Sequence, residues 1–336
     1  MKPKISVVMA VLNGRKFIGE AIQSIVDQNY RPVELVVVDD GSQDDTLDVV
    51  RAHAADLELK IVRHEQPMGI PVSMNDGLKH STGELITFLD HDDAWFPKFL
   101  ATQAAYLGRK PEVGMVHSDF QTIDVNGAIL EASVAECRNR TRPSGPVFRE
   151  LFLDSFIVGN SVLIRRECFT KLGLFDESLR WGDYHMWMRI ARHYPVDYVP
   201  AVLTKYRQHP SQSTRSSADA HPFADSVVLQ ALTKILDEYP EARREIGQRA
   251  VDRRQASLFF ELAYSWWAKR HFGHTRLCLR EAIRRSPATP RYYALYAATL
   301  LGPTVGFAVR DLWRQAREAG SAHKSKPGGL TTGRAG

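Results

Sequence analysis

The sequence predicts an α/β fold: a mainly parallel sheet flanked by helices, followed by an α-helical C-terminal region. Three observations predict it. Over the first 120 residues, short β-branched runs alternate with amphipathic stretches, as in βα units feeding a parallel sheet. The strand-like runs end in polar residues, which suits the ligand-facing carboxyl ends of an open sheet. From Val227 to Arg317 the spacing is helical throughout.

Ile5 to Met9 reads as the first strand, and Phe17 to Val26 as a helix with Phe17, Ile18, Ala21, Ile22 and Ile25 on one face. Glu34 to Val38 is the second strand, apolar enough to be buried on both sides. Asp44 to Ala55 is the next helix, Leu59 to Val62 the third strand, Pro71 to His80 a short helix and Leu85 to Leu89 the fourth strand. Phe96 to Leu107 is helical, and Val113 to His117 is a fifth strand. The pattern then weakens to residue 155, with Asn126-Gly127 as a hairpin turn and Phe148 to Leu153 as a short helix. Ser161 to Ile164 is again strand-like, a helix starts near Arg166, and Gly173 to Asp176 forms a turn. Asp183 to Arg192 has helical spacing and Val196 to Val202 is extended. A serine-rich seam from His209 to Asp219 closes a first domain, set at 1–215. The helical region is set at 220–318. Ser257 to Arg270 and Thr275 to Arg285, turning at Gly273, resemble one tetratricopeptide unit. Residues 319–336 have the composition of a disordered tail.

Composition narrows the class. Hydrophobic residues are 44% and charged residues 25% of the 336, which excludes a collagenous or wholly disordered chain. Cys137, Cys168 and Cys278 are too few and too scattered for a disulfide scaffold or a cysteine-held zinc, and suit a reducing compartment. Met1-Lys2-Pro3-Lys4 leads straight into a strand with no apolar signal core, so the expected location is cytoplasmic, with peripheral contact at the inner membrane face. The net charge of +5 is unevenly spread: residues 1–220 carry 25 Lys+Arg against 29 Asp+Glu, and residues 221–336 carry 19 against 10. The basic surplus lies in the C-terminal helices. No aromatic-interleaved basic motif accompanies it, so the expected partner is an anionic membrane or protein rather than nucleic acid. Tyr292 to Val309 runs 18 residues without a formal charge, the threshold length for a span. Gly302-Pro303, Thr299, Thr304 and Gly306 favour instead a bent helix pair, buried or resting on lipid.

The strand ends carry the chemistry. The first ends in Ala10-Val11-Leu12-Asn13-Gly14, a turn that lets backbone approach a ligand. The second ends in Asp39-Asp40-Gly41-Ser42; Asp44 reads as a helix cap and Gly41-Ser42 as turn chemistry, which leaves Asp39 and Asp40 to accept hydrogen bonds from a nucleobase or ribose. The fourth ends in Asp90-His91-Asp92-Asp93. In extended chain Asp90 and Asp92 face the same side, and carboxylates so close repel unless a cation joins them. Hard oxygen ligands suit Mg²⁺ or Mn²⁺ bound together with substrate phosphates; a solvated acidic loop capping the helix near Pro97 is the other reading. Asp183 follows Trp181-Gly182 at a helix start, as a cap or as a general base for an acceptor hydroxyl, with Trp181 as a stacking face for a sugar ring. His209 reads as a surface histidine or a phosphate contact. No GxGxxG follows the first strand and no GxxxxGK[ST] occurs, which disfavours a dehydrogenase or a P-loop NTPase.

Val7 to Gly14, Glu20 to Gln28, Val37 to Ser42 with Asp44 and Thr46, Asn75, Gly83 to Asp93, Gly173 to Glu177, Asp183 with Trp187 and Arg189, and Tyr206 to His209 follow one another in an order that resembles the family 2 glycosyltransferases of GT-A fold. The resemblance runs from the first strand to about His209. It implies an inverting transferase that moves a sugar from a nucleotide-diphosphate donor, most often a UDP-sugar, to a glycan or lipid-linked acceptor with Mn²⁺ or Mg²⁺. By carry-over, Ala10 and Asn13 lie against the nucleoside, Asp40 with Asp39 reads the uracil, and Asn75 belongs to the donor site. Asp90 approaches ribose or metal, Asp92 binds the cation and Asp183 is the base. Arg207 is a candidate for the diphosphate, and Trp181 and His209 for the acceptor.

The sequence departs from the family pattern in places. Met74 stands where many members have a basic residue, Gly182 precedes Asp183 where many have Glu, and His91 sits inside the acidic motif. A sugar-phosphate nucleotidyltransferase has a similar metal demand, but its Gly-rich basic loop is only faintly echoed by Asn13-Gly14-Arg15-Lys16. A helical interaction protein with a degenerate sugar-nucleotide domain is the third alternative, and the intact acidic set opposes it.

Overall fold

The computed structural model describes residues 2–53, 57–138, 142–212 and 226–300. In chain order the elements begin β1 (Ile5–Val11), α1 (Ile18–Val26), β2 (Val33–Asp39), α2 (Thr46–His53), β3 (Glu58–Arg63), α3 (Ile70–His80), β4 (Leu85–Phe88), β5 (Ala94–Trp95) and α4 (Phe99–Arg109). They continue β6 (Met115–Ile123), β7 (Ile129–Glu131), α5 (Val134–Cys137), α6 (Phe148–Leu153), β8 (Val162–Arg165), α7 (Arg166–Leu172), α8 (Asp183–His193) and β9 (Val196–Arg207). Five helices follow: α9 (Val227–Glu238), α10 (Ala242–Ile246), α11 (Gln248–Ala268), α12 (Phe272–Arg285) and α13 (Pro290–Leu300).

One sheet runs in the order β3-β2-β1-β4-β8-β6-β9-β5, with β7 paired to β6. β3, β2, β1 and β4 are parallel, as the alternating pattern predicts; Val8 of β1 lies between Val36 of β2 and Phe88 of β4. β8 then enters antiparallel between β4 and β6, while β6 and β9 pair parallel. The carboxyl ends of β1, β2, β4 and β6 therefore open on one edge. Ile18, Ile22 and Ile25 of α1 pack with Phe99 and Leu107 of α4 against one sheet face. On the other, Phe88 meets Phe175 at 5.4 Å and Trp187 at 6.1 Å between ring centroids, which seats α8. Gly77 lets α3 approach the sheet, since a Cβ there would fall 2.3 Å from Val8 Cγ1.

Sequence expectations and structure differ at identifiable places. The fifth predicted strand runs on to Ile123 as β6, because its extension pairs with β9 on one side and β7 on the other. The predicted hairpin at Asn126-Gly127 joins β6 and β7, with Gly127 at φ 86°. The two-residue β5 has no periodicity to read and exists through its pairing with Lys205 and Thr204.

The described residues fall into two compact units, and the division lies at Val251 rather than at 215–220. α9 and α10 belong to the first unit because the ion pairs of Lys234 with Asp176 and of Arg192 with Glu241 at 2.9 Å, and a hydrogen bond of His185 with Glu238 at 2.9 Å, hold them to it. The second unit, from Asp252, is helical. Its core includes Trp266, Trp267, Cys278, Leu279, Ala282, Leu295 and Ala298. The expected helix pair is present, but it turns at Lys269–His271, where Arg270 adopts φ 66°, and Gly273 lies inside α12. Gly302-Pro303 and the 319–336 tail lie outside the described residues. Among those described, no helix is long and apolar enough to cross a membrane.

Candidate active site

The loop after β4 is built by its neighbours. β5 pairs with the end of β9, which brings Arg207 and His209 against Asp92 and Asp93. Arg207, 2% exposed, donates Nε to the Asp92 carbonyl at 2.9 Å, its backbone N–H to Asp93 Oδ1 at 2.7 Å, and Nη2 to Glu20 Oε2 at 2.5 Å. Its guanidinium also lies 4.9 Å from the Phe17 ring centroid. Asn160 donates to the second Asp93 oxygen. Asp93 is thereby a buried anchor, with its pKa raised well above the usual carboxylate range by burial and by the charges of Asp92 and Asp90.

Asp92 holds its Oδ2 2.9 Å from His209 Nε2. The His209 ring rests 5.0 Å from that of Phe17. Asp90 stays exposed at the cleft mouth, yet the surrounding protein strips water from its carboxyl and, with the charges of Asp92 and Asp183, pushes its pKa up to about 7. Oxygens of Asp90, Asp92 and Asp93 lie within 4.8 Å of one another. Asp93 is spent on Arg207 and Asn160, so Asp90 and Asp92 are the pair open to a cation, with His209 Nε2 bonded to Asp92 Oδ2. Two hard carboxylates fit Mn²⁺ or Mg²⁺.

Asp183 opens α8, where no side-chain hydrogen bond caps the helix, and the nearby backbone N–H groups of the first turn favour its charged form. Burial raises its pKa all the same. Gly159 faces it so closely that a Cβ there would sit 3.6 Å from Asp183 Oδ2. A carboxylate in this setting is a stronger base than one in water.

The β1 and β2 ends interlock. Asn13, at φ 52°, accepts the Gln43 N–H at 2.9 Å and donates its own N–H to Ser42 Oγ at 2.8 Å; the Gly14 N–H reaches Thr46 Oγ1 at 2.9 Å. A side chain at Gly14 would meet Val11 Cγ2 at 2.4 Å and the His91 ring at 2.7 Å. The Ala10 backbone is hydrogen-bonded to His91, whose burial lowers its pKa. Asp39 is fully buried, accepting from the Ser42 N–H at 3.1 Å with the Arg63 guanidinium 3.3 Å away.

Several expected ligands are occupied differently. Asp40 accepts from Met68 N–H at 2.8 Å, Gly69 N–H at 2.9 Å and His64 Nδ1 at 2.7 Å, so it ties down the loop after β3. Asn75 is 2% exposed and gives its whole amide to the 173–177 turn: Nδ2 to Phe175 O at 3.0 Å and Glu177 Oε1 at 2.8 Å, while Oδ1 accepts from Phe175 N–H at 2.9 Å. Arg207 is committed to the acidic loop rather than free for a diphosphate. His209 joins the Asp92 side of the cleft rather than an acceptor surface. Trp181 is half-buried, with the Arg180 guanidinium 4.7 Å from its ring.

Sequence reasoning missed Asn160, Glu20 and His64, whose roles depend on partners 67, 187 and 24 residues away. It also passed over Lys16, whose ammonium lies 4.8 Å from the Phe17 ring and has no carboxylate partner among the described residues.

The model of glycosyl transferase family 2 matches residues 6–173, half of the chain. The chain belongs to that family. Among its relatives, a glycosyltransferase of Rickettsia typhi is 30% identical over 217 residues, 64% of this chain and 67% of that protein. The glycosyltransferase MJ1057 of Methanocaldococcus jannaschii is 28% identical over 61% of this chain and 71% of that one. In fold, this glycosyltransferase matches S. aureus TarS 1-349 in complex with UDP-GlcNAc, with TM-score 0.65 and 19% identity over 93% of this chain and 92% of that one. It also matches the mannosyltransferase PcManGT of Pyrobaculum calidifontis in complex with GDP-Man and Mn²⁺, with TM-score 0.55 and 21% identity over 94% and 88% of the two chains. The α/β fold expected of the family is thus the fold observed, and the nucleotidyltransferase and interaction-protein readings give way to a glycosyltransferase.

Proposed function

We propose that this glycosyltransferase moves a sugar from a UDP-sugar to a hydroxyl of a glycan or lipid-linked acceptor, with inversion at the anomeric carbon and with Mn²⁺ or Mg²⁺. The observation that carries the reading is the convergence of Asp90, Asp92, His209 and Asp183 at the carboxyl edge of the sheet. Asp90 and Asp92 would hold the cation, with His209 fixing the Asp92 carboxylate. When bound, it supplies positive charge to the leaving diphosphate. Asp93, Arg207 and Asn160 keep the Asp90–Asp93 loop in place. Lys16 supplies the basic side chain that Met74 does not. The nucleobase is assigned to the cavity of about 260 Å³ lined by His64, Glu65, Gln66, Met68, Val72 and Asp76, beside the loop that Asp40 holds. Asp183 takes the proton from the acceptor hydroxyl as its oxygen attacks, and one carboxylate acting as base suits a single displacement without a covalent intermediate. Trp181 borders the acceptor side. TarS bound to UDP-GlcNAc and PcManGT bound to GDP-Man support a nucleotide-sugar donor, and the base is chosen by the test.

Calorimetry with UDP and GDP, each with and without Mn²⁺, is that test. UDP binding that requires the cation and disappears in Asp92→Ala is expected; metal-independent binding unchanged by Asp92→Ala removes the site. Asp183→Asn should keep nucleotide binding and lose transfer, and full transfer by that variant rejects the base. We further place the protein in the cytoplasm, with the basic helices of the second unit meeting the inner membrane face. Sedimentation of the full chain with anionic vesicles checks this.

A further inference from the structure

α12 and α13 of the second unit carry opposite kinds of exposed surface side by side. On α13, Tyr292, Leu295, Ala298 and Thr299 are buried, so the helix already has its inner face. The opposite face presents Tyr293, Ala297 and Leu300, with Tyr293 47% and Leu300 64% exposed. No charged residue occurs on α13 after Arg291, and the uncharged run continues in the sequence to Val309. On α12, Leu277, Arg280 and Arg284 fall at helical spacing on one exposed stripe, with Leu277 41% exposed. Arg280 of the α12 stripe reaches α13 beside its exposed face, with Nε 3.3 Å from Tyr296 Oη, and Arg284 Nη2 pairs with Glu281 Oε2 at 2.9 Å.

An exposed apolar stripe bordered by arginines has one chemistry that suits both halves. Arginine pairs with phosphate through several donors. Tyrosine favours the boundary between headgroups and acyl chains, and a leucine beside it gains by leaving water. A protein partner would need its own acidic rim and apolar centre, whereas an anionic bilayer offers both at once. We propose that the α12–α13 surface docks on an anionic phospholipid bilayer, with Arg280 and Arg284 on lipid phosphates and Tyr293 and Leu300 at the interface. This rests on the peripheral membrane reading above and names the surface that performs it.

The full chain is sedimented with phosphatidylcholine vesicles and with vesicles containing 30% phosphatidylserine, alongside Arg280→Ala/Arg284→Ala and Tyr293→Ser/Leu300→Ser. Binding only to the anionic vesicles is expected. The arginine pair should weaken it about 30-fold, since each basic side chain near such a surface contributes about a fivefold gain. The Tyr293→Ser/Leu300→Ser variant should weaken binding to the same vesicles, with unfolding temperature and UDP binding unchanged in both variants. If wild type binds anionic vesicles and both variants bind equally well, this surface is wrong while the membrane reading stands. If wild type ignores anionic vesicles, both fall. A concentration-dependent dimer that Leu300→Ser dissolves, with no vesicle binding, would assign the face to a second copy and overturn the proposal.

Discussion

Asn75→Ala separates a donor-site residue from a structural clamp. The Asn75 amide, 2% exposed, accepts from the Phe175 N–H at 2.9 Å and donates to the Phe175 carbonyl at 3.0 Å, across 100 residues of sequence. Alanine leaves both backbone groups unpaired beside a phenylalanine that is 5% exposed. Each such orphan costs roughly 1–3 kcal/mol, while the bond to the exposed Glu177 is exchanged for water at little cost. The sum is about 3 kcal/mol, or a fall in Tm of roughly 6–12 °C for a unit of this size. Urea unfolding followed by tryptophan fluorescence measures it, and calorimetry with UDP below the transition measures the site. A clamp predicts the stability loss with UDP affinity within about threefold of wild type, since about 0.6 kcal/mol lies within indirect effects. Unfolding within about 1 kcal/mol of wild type together with a tenfold loss of UDP affinity would refute the reasoning.

Arg207→Met keeps the aliphatic stem but removes the contacts to Asp92 and Glu20; metal-dependent UDP affinity should fall about 10–100-fold, as for residues that orient metal ligands, while Asp92→Ala abolishes it. Gly77→Ala drives a Cβ to 2.3 Å from buried Val8, and a net loss of about 1–2 kcal/mol in urea unfolding is expected after the helix-propensity gain of alanine. His64 bridges Asp40 and Asp76; burial opposes its charged form, but the two carboxylate hydrogen bonds prevail and raise its pKa. Its contribution is therefore full below the unfolded value of about 6.5 and lost as pH rises through the folded value, so the stability gap between wild type and His64→Ala should be wider near about pH 5.5 than near about pH 9. An equal gap at both would mean that the histidine acts as a neutral hydrogen-bonding group.

The parallel half of the sheet, α1 and the acidic strand end were legible because their signals are local. Leu35 to Val38 can only be a strand buried on both faces, and Asp90, Asp92 and Asp183 carry charge patterns that ask for a partner wherever they are placed. The entry of β8 between β4 and β6, and the two-residue β5, are decisions of long-range pairing with no periodic trace in the chain. The same reason governs the site. Residue type alone marks Arg207, His209, Asp40 and Asn75 as polar and suited to a nucleotide, yet only the packed structure shows which protein groups each already meets. Asp93 and the Asp92 backbone claim Arg207, Asp92 claims His209, the loop after β3 claims Asp40 and the Phe175 turn claims Asn75. Local composition by itself determined the fold class and the acidic chemistry of this glycosyltransferase. Contacts across 28 to 117 residues decided what each of these polar groups meets, because the partners are distant in the chain and only the fold brings them together.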